Sequence, residues 1–177
     1  MNEAFREIIT ASEADRRDLF VGTAARLGTA VQNVEKDFWV CWVLDALFNG
    51  LPPHGPRLLF KGGTSLSKAF GLISRFSEDI DITVFRDDLG QPAAPAELEA
   101  LSGKQRRLRL DAIREACQAF IQGDFDTGLR ERAVEFIQQG FTLEADRDDA
   151  DGQSLLLWYR LSRQWHRRVA MFGRDNR

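Results

Sequence analysis

The sequence predicts an α+β domain in which helices cover a small mixed sheet. Short apolar segments bounded by Gly and Pro are typical of buried strands, and longer segments with apolar residues at helical spacing predict helices. Predicted strands and helices alternate along the chain without an internal repeat. An α/β arrangement is therefore the alternative to the α+β class. At 177 residues, with 44% hydrophobic and 29% charged residues, the chain can form one hydrophobic core.

An N-terminal helical segment opens the domain. Ser12 is a suitable N-cap for a helix that runs to Leu27, where Gly28 ends it. A second helix is predicted from about Val31 to Phe48. Its run FWVCWVLDALF is apolar nearly all round, so we expect this helix, with its Phe and Trp side chains, to lie in the core.

Strands and helices follow once Asn49, Gly50, Pro52 and Pro53 have broken the second helix. The predicted strands are Arg57–Phe60, Asp79–Phe85, Phe141–Ala145 and Leu155–Tyr159. The predicted helices are Thr64–Phe70, about 104–122 and about 126–139. Residues 1–159 therefore form the predicted domain.

The segment 160–177 differs from the rest in composition, with six arginines against a single acid, Asp175. A basic tail can contact RNA phosphates, but a poorly ordered terminus is the interpretation we favour. The change after Tyr159 is abrupt, and our hypothesis is that the reading frame shifts there.

Several function classes are excluded by composition. No apolar run approaches the roughly 20 residues of a membrane helix, and the N-terminus lacks the pattern of a secretory signal. The spacing of Cys41 and Cys117 is not that of a disulfide framework or a zinc site. The only histidines, His54 and His166, do not favour a catalytic site in which a histidine activates a nucleophile. We therefore predict a cytoplasmic protein without a membrane partner.

A glycine turn follows the first predicted strand. Gly62 and Gly63 permit close approach of a ligand to the main chain, and Thr64 and Ser65 then open a helix whose amides suit a phosphate. Taken alone, such a turn is more often a plain connection. It also lacks the spacing of a P-loop.

Two acids lie on the next strand. Asp79 and Asp81 are separated by one residue, so their side chains share a face while Ile80 and Ile82 face the core. Paired carboxylates repel unless a cation relieves them, and Mg²⁺ prefers carboxylates together with substrate phosphates. Solvent-facing acids at a strand end are the alternative. The glycine turn upstream favours the metal site.

Other polar residues flank these two motifs. Arg75 is placed to reach a triphosphate, and the Ser77 hydroxyl is a candidate for a phosphate or a metal-bound water. A turn tied by an internal ion pair, including Glu78, is equally compatible. Lys61 is a candidate phosphate contact, whereas Lys68 is more simply a surface lysine.

The order strand, GGTS, helix, DID resembles the DNA polymerase β-like nucleotidyltransferase superfamily. More narrowly, FKGGTSLSKAF and RFSEDIDI, preceded by VEKDFWV on the second helix, resemble the AbiEii toxin family, nucleotidyltransferase toxins of abortive-infection toxin–antitoxin systems. The resemblance is dense from Val34 to Phe85 and looser to Tyr159. Glu35, Lys36 and Asp37 fall in the helix motif, and the sequence does not indicate which of them is buried in a pair or faces the site.

The resemblance implies a polymerase β-like fold and a magnesium-dependent transfer of a nucleoside monophosphate from a nucleoside triphosphate to RNA, in particular tRNA, with a cognate antitoxin as partner. It implies that Asp79 and Asp81 are catalytic and bind Mg²⁺. The residues it implies for nucleotide binding are Gly62, Gly63, Thr64 and Ser65, with support from Arg75 and Ser77.

One feature of the superfamily is missing. A third carboxylate is expected on a later strand, near Val169–Phe172, and VAMFG contains no acid. Glu144 and Asp146 come too early in the chain to replace it. The alternative function is therefore a truncated, inactive remnant that keeps nucleotide, metal or antitoxin binding. A transferase that modifies Tyr, Ser or Thr of a protein is a third possibility.

Overall fold

The computed structural model describes residues 2–72, 79–136, 141–160 and 165–175. The helices are α1 (Glu3–Thr10), α2 (Glu13–Leu27), α3 (Val31–Asp45), α4 (Gly62–Lys68), α5 (Pro95–Ala100), α6 (Gly103–Phe120) and α7 (Asp126–Phe136). The strands are β1 (Leu58–Lys61), β2 (Asp79–Val84), β3 (Phe141–Ala145), β4 (Ser154–Arg160) and β5 (Trp165–Asp175). This mixture of helices and one small sheet confirms the predicted α+β class.

Helix α2 begins and ends where its capping residues predict. The Ser12 hydroxyl accepts a hydrogen bond from the Asp15 amide at 3.1 Å, and Gly28 ends α2 in the left-handed conformation. Helix α3 continues into a π-helical turn at Ala46–Gly50, before the proline-rich loop. The eight-residue helix α1, capped by the Asn2 side chain, was not predicted.

The sheet has five strands in the order β1-β2-β5-β4-β3. Only β2 and β5 are parallel; the other three pairs are antiparallel. Strand β2, which bears the two acids, is therefore enclosed between β1 and β5.

The arginine-rich segment supplies β5, whose backbone pairs with both β2 and β4. Residues 165–175 thus form a strand where the resemblance placed one, near Val169–Phe172, and the predicted domain boundary at Tyr159 stays a prediction. The segment is held because its backbone hydrogen bonds complete the ladders of both neighbours. The proposed frame shift after Tyr159 is a separate hypothesis, which the strand does not test.

The hydrophobic core lies on one face of the sheet. Ile80, Ile82 and Val84 of β2 are at most 1% exposed and share this core with α3, α6 and α7. Trp42 is fully buried, and the Trp39 ring stacks on Tyr159 of β4 at 4.9 Å. The apolar helix α3 is thus central to the core, as predicted. Among the described residues, no helix has the length and apolarity needed to cross a bilayer.

Candidate active site

The two acids of β2 lie on the face of the sheet opposite the core. Asp79 is exposed and Asp81 is half-buried, while Ile80 between them is fully buried. The alternation predicted from the sequence is therefore confirmed. The Asp81 carboxylate has no hydrogen bond or ion pair with any residue in the described ranges, so its charge is available to a ligand.

Gly62 lies directly against Asp81. Its φ of 75° is in the left-handed region, which glycine adopts without steric cost. A Cβ at this position would overlap the Asp81 carboxylate, at 2.9 Å from its Cγ. Lys61, the residue before it, is the register partner of Asp81. The end of β1 and the first turn of α4 thus wrap around one carboxylate.

The hydroxyl groups of the turn are used within the protein. Thr64, 2% exposed, donates its hydroxyl to the main-chain carbonyl of Asp79, which ties α4 to the start of β2. Ser65, 5% exposed, donates to the Gly62 carbonyl at 2.9 Å. A hydroxyl has a single proton to donate, so phosphate binding by this turn would depend on main-chain amides.

Replacing Thr64 by Val tests that tie, because valine keeps the shape and removes the donor. We expect the free energy of unfolding to fall by about 1–2 kcal/mol, the cost of losing a buried hydrogen bond. Urea denaturation measures the change.

Thr83→Val is the matched control. Thr83 is also 2% exposed and lies on the same strand as Asp79, but its hydroxyl has no hydrogen-bond partner in the described part of the chain. We expect this variant to be at least as stable as the wild type. Equal losses in both variants would contradict the assigned role of Thr64.

An ion pair joins α3 to α4. Lys68 donates to the Asp37 carboxylate, so the lysine interpreted as a simple surface residue has a specific partner. The sequence marked Glu35, Lys36 and Asp37 without a choice among them. The structure places Asp37 against the helix that carries the glycine turn. No local pattern shows this contact, since the two residues are 31 positions apart.

Cys41 lies one helical turn beyond Asp37 on α3. Burial raises the pKa of its thiol; the positive charge of Lys68 opposes this shift and the negative charge of Asp37 adds to it. The cysteine is therefore a protonated, half-buried thiol at neutral pH, which does not favour a role as a nucleophile. Both cysteines are free thiols.

The register of β5 against β2 identifies the partners of the two acids. Ala170 is the register partner of Asp79, and Phe172 is the register partner of Asp81. Asp175, the acid of β5, pairs with Val84, whose side chain faces the core. The register thus agrees with the sequence: no carboxylate of β5 is paired with either acid.

Glu144 cannot take the place of that carboxylate. It lies in the same row across the sheet as Asp79, but β5 and β4 separate the two residues. Three strand spacings correspond to about 14 Å. The Glu144 carboxylate also accepts a hydrogen bond from Trp158 Nε1 at 2.5 Å. Asp146, at the turn after β3, accepts from the Asp148 amide at 3.0 Å.

Arg75, Ser77 and Glu78 lie outside the described residues, so their predicted roles remain predictions. Within the described ranges, no group of three or more His, Cys, Asp or Glu side chains is arranged to hold a metal. A cation bound here would therefore be held by Asp79 and Asp81 and would need further ligands. Mg²⁺ fits this donor set, because it is usually bound by one or two carboxylates, substrate phosphates and water.

Comparison with known proteins agrees with the glycine turn and the acid pair, whereas the helix motif VEKDFWV lies before the matched residues. The sequence model of the family described as nucleotidyl transferase AbiEii toxin, type IV TA system, matches residues 45–171. No curated protein sequence matches the chain. Among solved structures, MenT4, a nucleotidyltransferase toxin from Mycobacterium tuberculosis, matches with a TM-score of 0.42 and 21% identity. The match covers 89% of this chain, which spans 42% of that toxin.

Proposed function

The chain belongs to the family of AbiEii nucleotidyltransferase toxins, and from this premise we propose that it transfers a nucleoside monophosphate from a nucleoside triphosphate to RNA, with tRNA as the acceptor. The observation that carries the proposal is the packing of Gly62 against Asp81, on the face of β2 that also bears Asp79. A glycine turn and an acid pair that lie apart in the sequence form one site.

The residues have separate roles in this reaction. Asp79 and Asp81 would hold Mg²⁺, which neutralises triphosphate charge when bound. The main-chain amides of Gly62 and Gly63 would contact phosphate oxygens, since glycine allows close approach. Lys61, opposite Asp81, would add positive charge beside the triphosphate. Arg75 and Ser77 are proposed as further phosphate contacts on the strength of the family motif alone.

The chemical step exchanges one phosphoester bond for another. An acceptor hydroxyl oxygen bonds to the α-phosphorus, the bond to the bridging oxygen of pyrophosphate breaks, and the hydroxyl proton passes to solvent. Because Ala170 and Phe172 are the register partners of the two acids, we assign no carboxylate to receive that proton. Positioning and charge neutralisation would supply most of the rate.

The proposal extends to the setting of the reaction. The family description names a type IV toxin–antitoxin system. We propose that transfer to tRNA is toxic, that a cognate antitoxin counteracts it, and that the reaction takes place in the cytoplasm, where both substrates are found.

The same register favours a second candidate function. With alanine and phenylalanine as the register partners of the acids, the chain would bind Mg²⁺ and nucleotide but transfer little or nothing. The acid pair and the glycine turn are sufficient for binding, whereas transfer also requires activation of the acceptor hydroxyl.

A transfer assay separates the two functions. The purified chain is incubated with tRNA, Mg²⁺ and each of the four nucleoside triphosphates labelled at the α-phosphate. We expect labelled tRNA with at least one nucleotide and none in excess EDTA. Magnesium-dependent nucleotide binding without label in tRNA would support the binding function instead. Absence of both binding and transfer would contradict both candidates.

A further inference from the structure

A cavity of about 610 Å³ opens behind the sheet, away from the two acids. It lies at the start of β1, where Leu58 pairs with Val84 on the core face. Lys61, the register partner of Asp81, is three residues further along the strand, about 10 Å away. The cavity is therefore separate from the candidate active site. Its volume is in the range of small-molecule sites.

The walls of the cavity are held in place by tertiary contacts. Gly128 of α7 packs so closely on the proline-rich loop that a Cβ there would lie 2.7 Å from the Leu51 side chain. Arg132 of the same helix donates from Nε to the Gly50 carbonyl at 2.8 Å. These contacts join α7 to the π-helical turn after α3 and hold the opposing walls together.

The lining combines apolar side chains with charged ones. Arg57, the one lining arginine, forms a two-pronged ion pair with Asp88 at 2.7 and 3.0 Å. Its charge is thus compensated. Asp124 and Glu131 also line the cavity, and neither has a hydrogen-bond or ion-pair partner among the described residues. The apolar lining is formed by Leu47, Phe48, Leu51, Leu58, Phe120 and Phe125.

We propose that this cavity is a second binding site, for a small organic cation. Its ring or branched chain would lie among the aromatic side chains, and its ammonium or guanidinium group would pair with Asp124 and Glu131. The apolar walls supply affinity, and the two uncompensated carboxylates select the sign of charge. An anion of the same shape would be repelled. This inference does not depend on the transfer reaction.

Titration with three fluorinated probes of similar shape, followed by ¹⁹F NMR, tests the proposal. The probes are 4-fluorobenzylammonium, 4-fluorobenzyl alcohol and 4-fluorobenzoate. Each is titrated to about 10 mM, a concentration suited to weakly binding fragments. With the full chain, we expect the cation to bind about tenfold more tightly than the anion and the alcohol to lie between them. The preference should fall as salt is added.

Three variants locate the binding. In D124N/E131Q the three probes should bind within about twofold of one another, because the charges are gone and the walls remain. Phe48→Ala should weaken all three probes alike, since Phe48 belongs to the apolar lining. D79N/D81N should retain the preference for the cation, which separates this cavity from the acid pair.

E13Q/D18N is the matched control, because it removes two exposed carboxylates from α2, outside the cavity lining. It should leave all three affinities unchanged. The proposal is overturned if none of the probes binds saturably, if charge does not rank them, or if the preference for the cation survives in D124N/E131Q.

Discussion

The variant D79N/D81N is expected to lose nucleotide transfer by about 10³-fold or more, because both carboxylates proposed to hold Mg²⁺ become neutral amides. Asparagine keeps the size of aspartate, and both side chains lie on the face of β2 away from the core. The fold should therefore persist, and the loss should appear in transfer rather than in stability. Initial rates of label transfer, together with a denaturation curve, measure both.

The chain contains a matched control for this change. Asp146 and Asp148 form a second acid–x–acid pair, at the turn after β3. Asp146 accepts its hydrogen bond through a side-chain oxygen that asparagine keeps. D146N/D148N changes the net charge by the same amount, and we expect it to transfer at the wild-type rate. A similar loss in both double variants would show that overall charge, and not the acid pair of β2, governs the reaction.

Gly62→Ala is expected to have the second largest effect, although it adds one methyl group. The methyl group would overlap the Asp81 carboxylate, and alanine is strained at a φ of 75°. We expect a loss of about 1–2 kcal/mol in the free energy of unfolding from the backbone strain. Transfer should fall by about 10²-fold, because displacing a positioned group by an ångström costs that much.

Gly90→Ala separates the two causes. Gly90 has a φ of 70°, close to that of Gly62, but a Cβ there would have no neighbour within 4 Å. We expect the same order of destabilisation and an unchanged transfer rate. If Gly90→Ala lowers transfer as much as Gly62→Ala, backbone strain alone explains the loss and contact with Asp81 plays no part.

The elements with strong local signals were predictable from the sequence. Ser12 and Gly28 mark the ends of α2 because capping is a local property of the chain. The alternation of Asp79, Ile80 and Asp81 indicates which side of β2 faces the core because strand side chains alternate. Asp79 and Asp81 also belong to the candidate site. Its acid pair and its glycine turn could therefore be recognised from the sequence.

Long-range pairing was not predictable in the same way. The resemblance placed a strand near Val169–Phe172, but it did not give the neighbours of that strand: β5 lies between β2 and β4 because its backbone pairs with both. The ion pair of Asp37 with Lys68 likewise depends on how α3 packs against α4. The cavity joins the loop around His54 to α7, two segments whose local patterns give no sign that they meet.

The most direct test of the central claim is to locate a bound metal–nucleotide complex on the chain. Mn²⁺ can replace Mg²⁺ at oxygen ligands, and its paramagnetism broadens the amide signals of nearby residues. With Mn²⁺ and a non-hydrolysable nucleoside triphosphate, we predict selective broadening at Gly62, Gly63, Ile80 and Asp81 that disappears in D79N/D81N. Broadening centred elsewhere, or unchanged in that variant, would contradict the assignment of the active site.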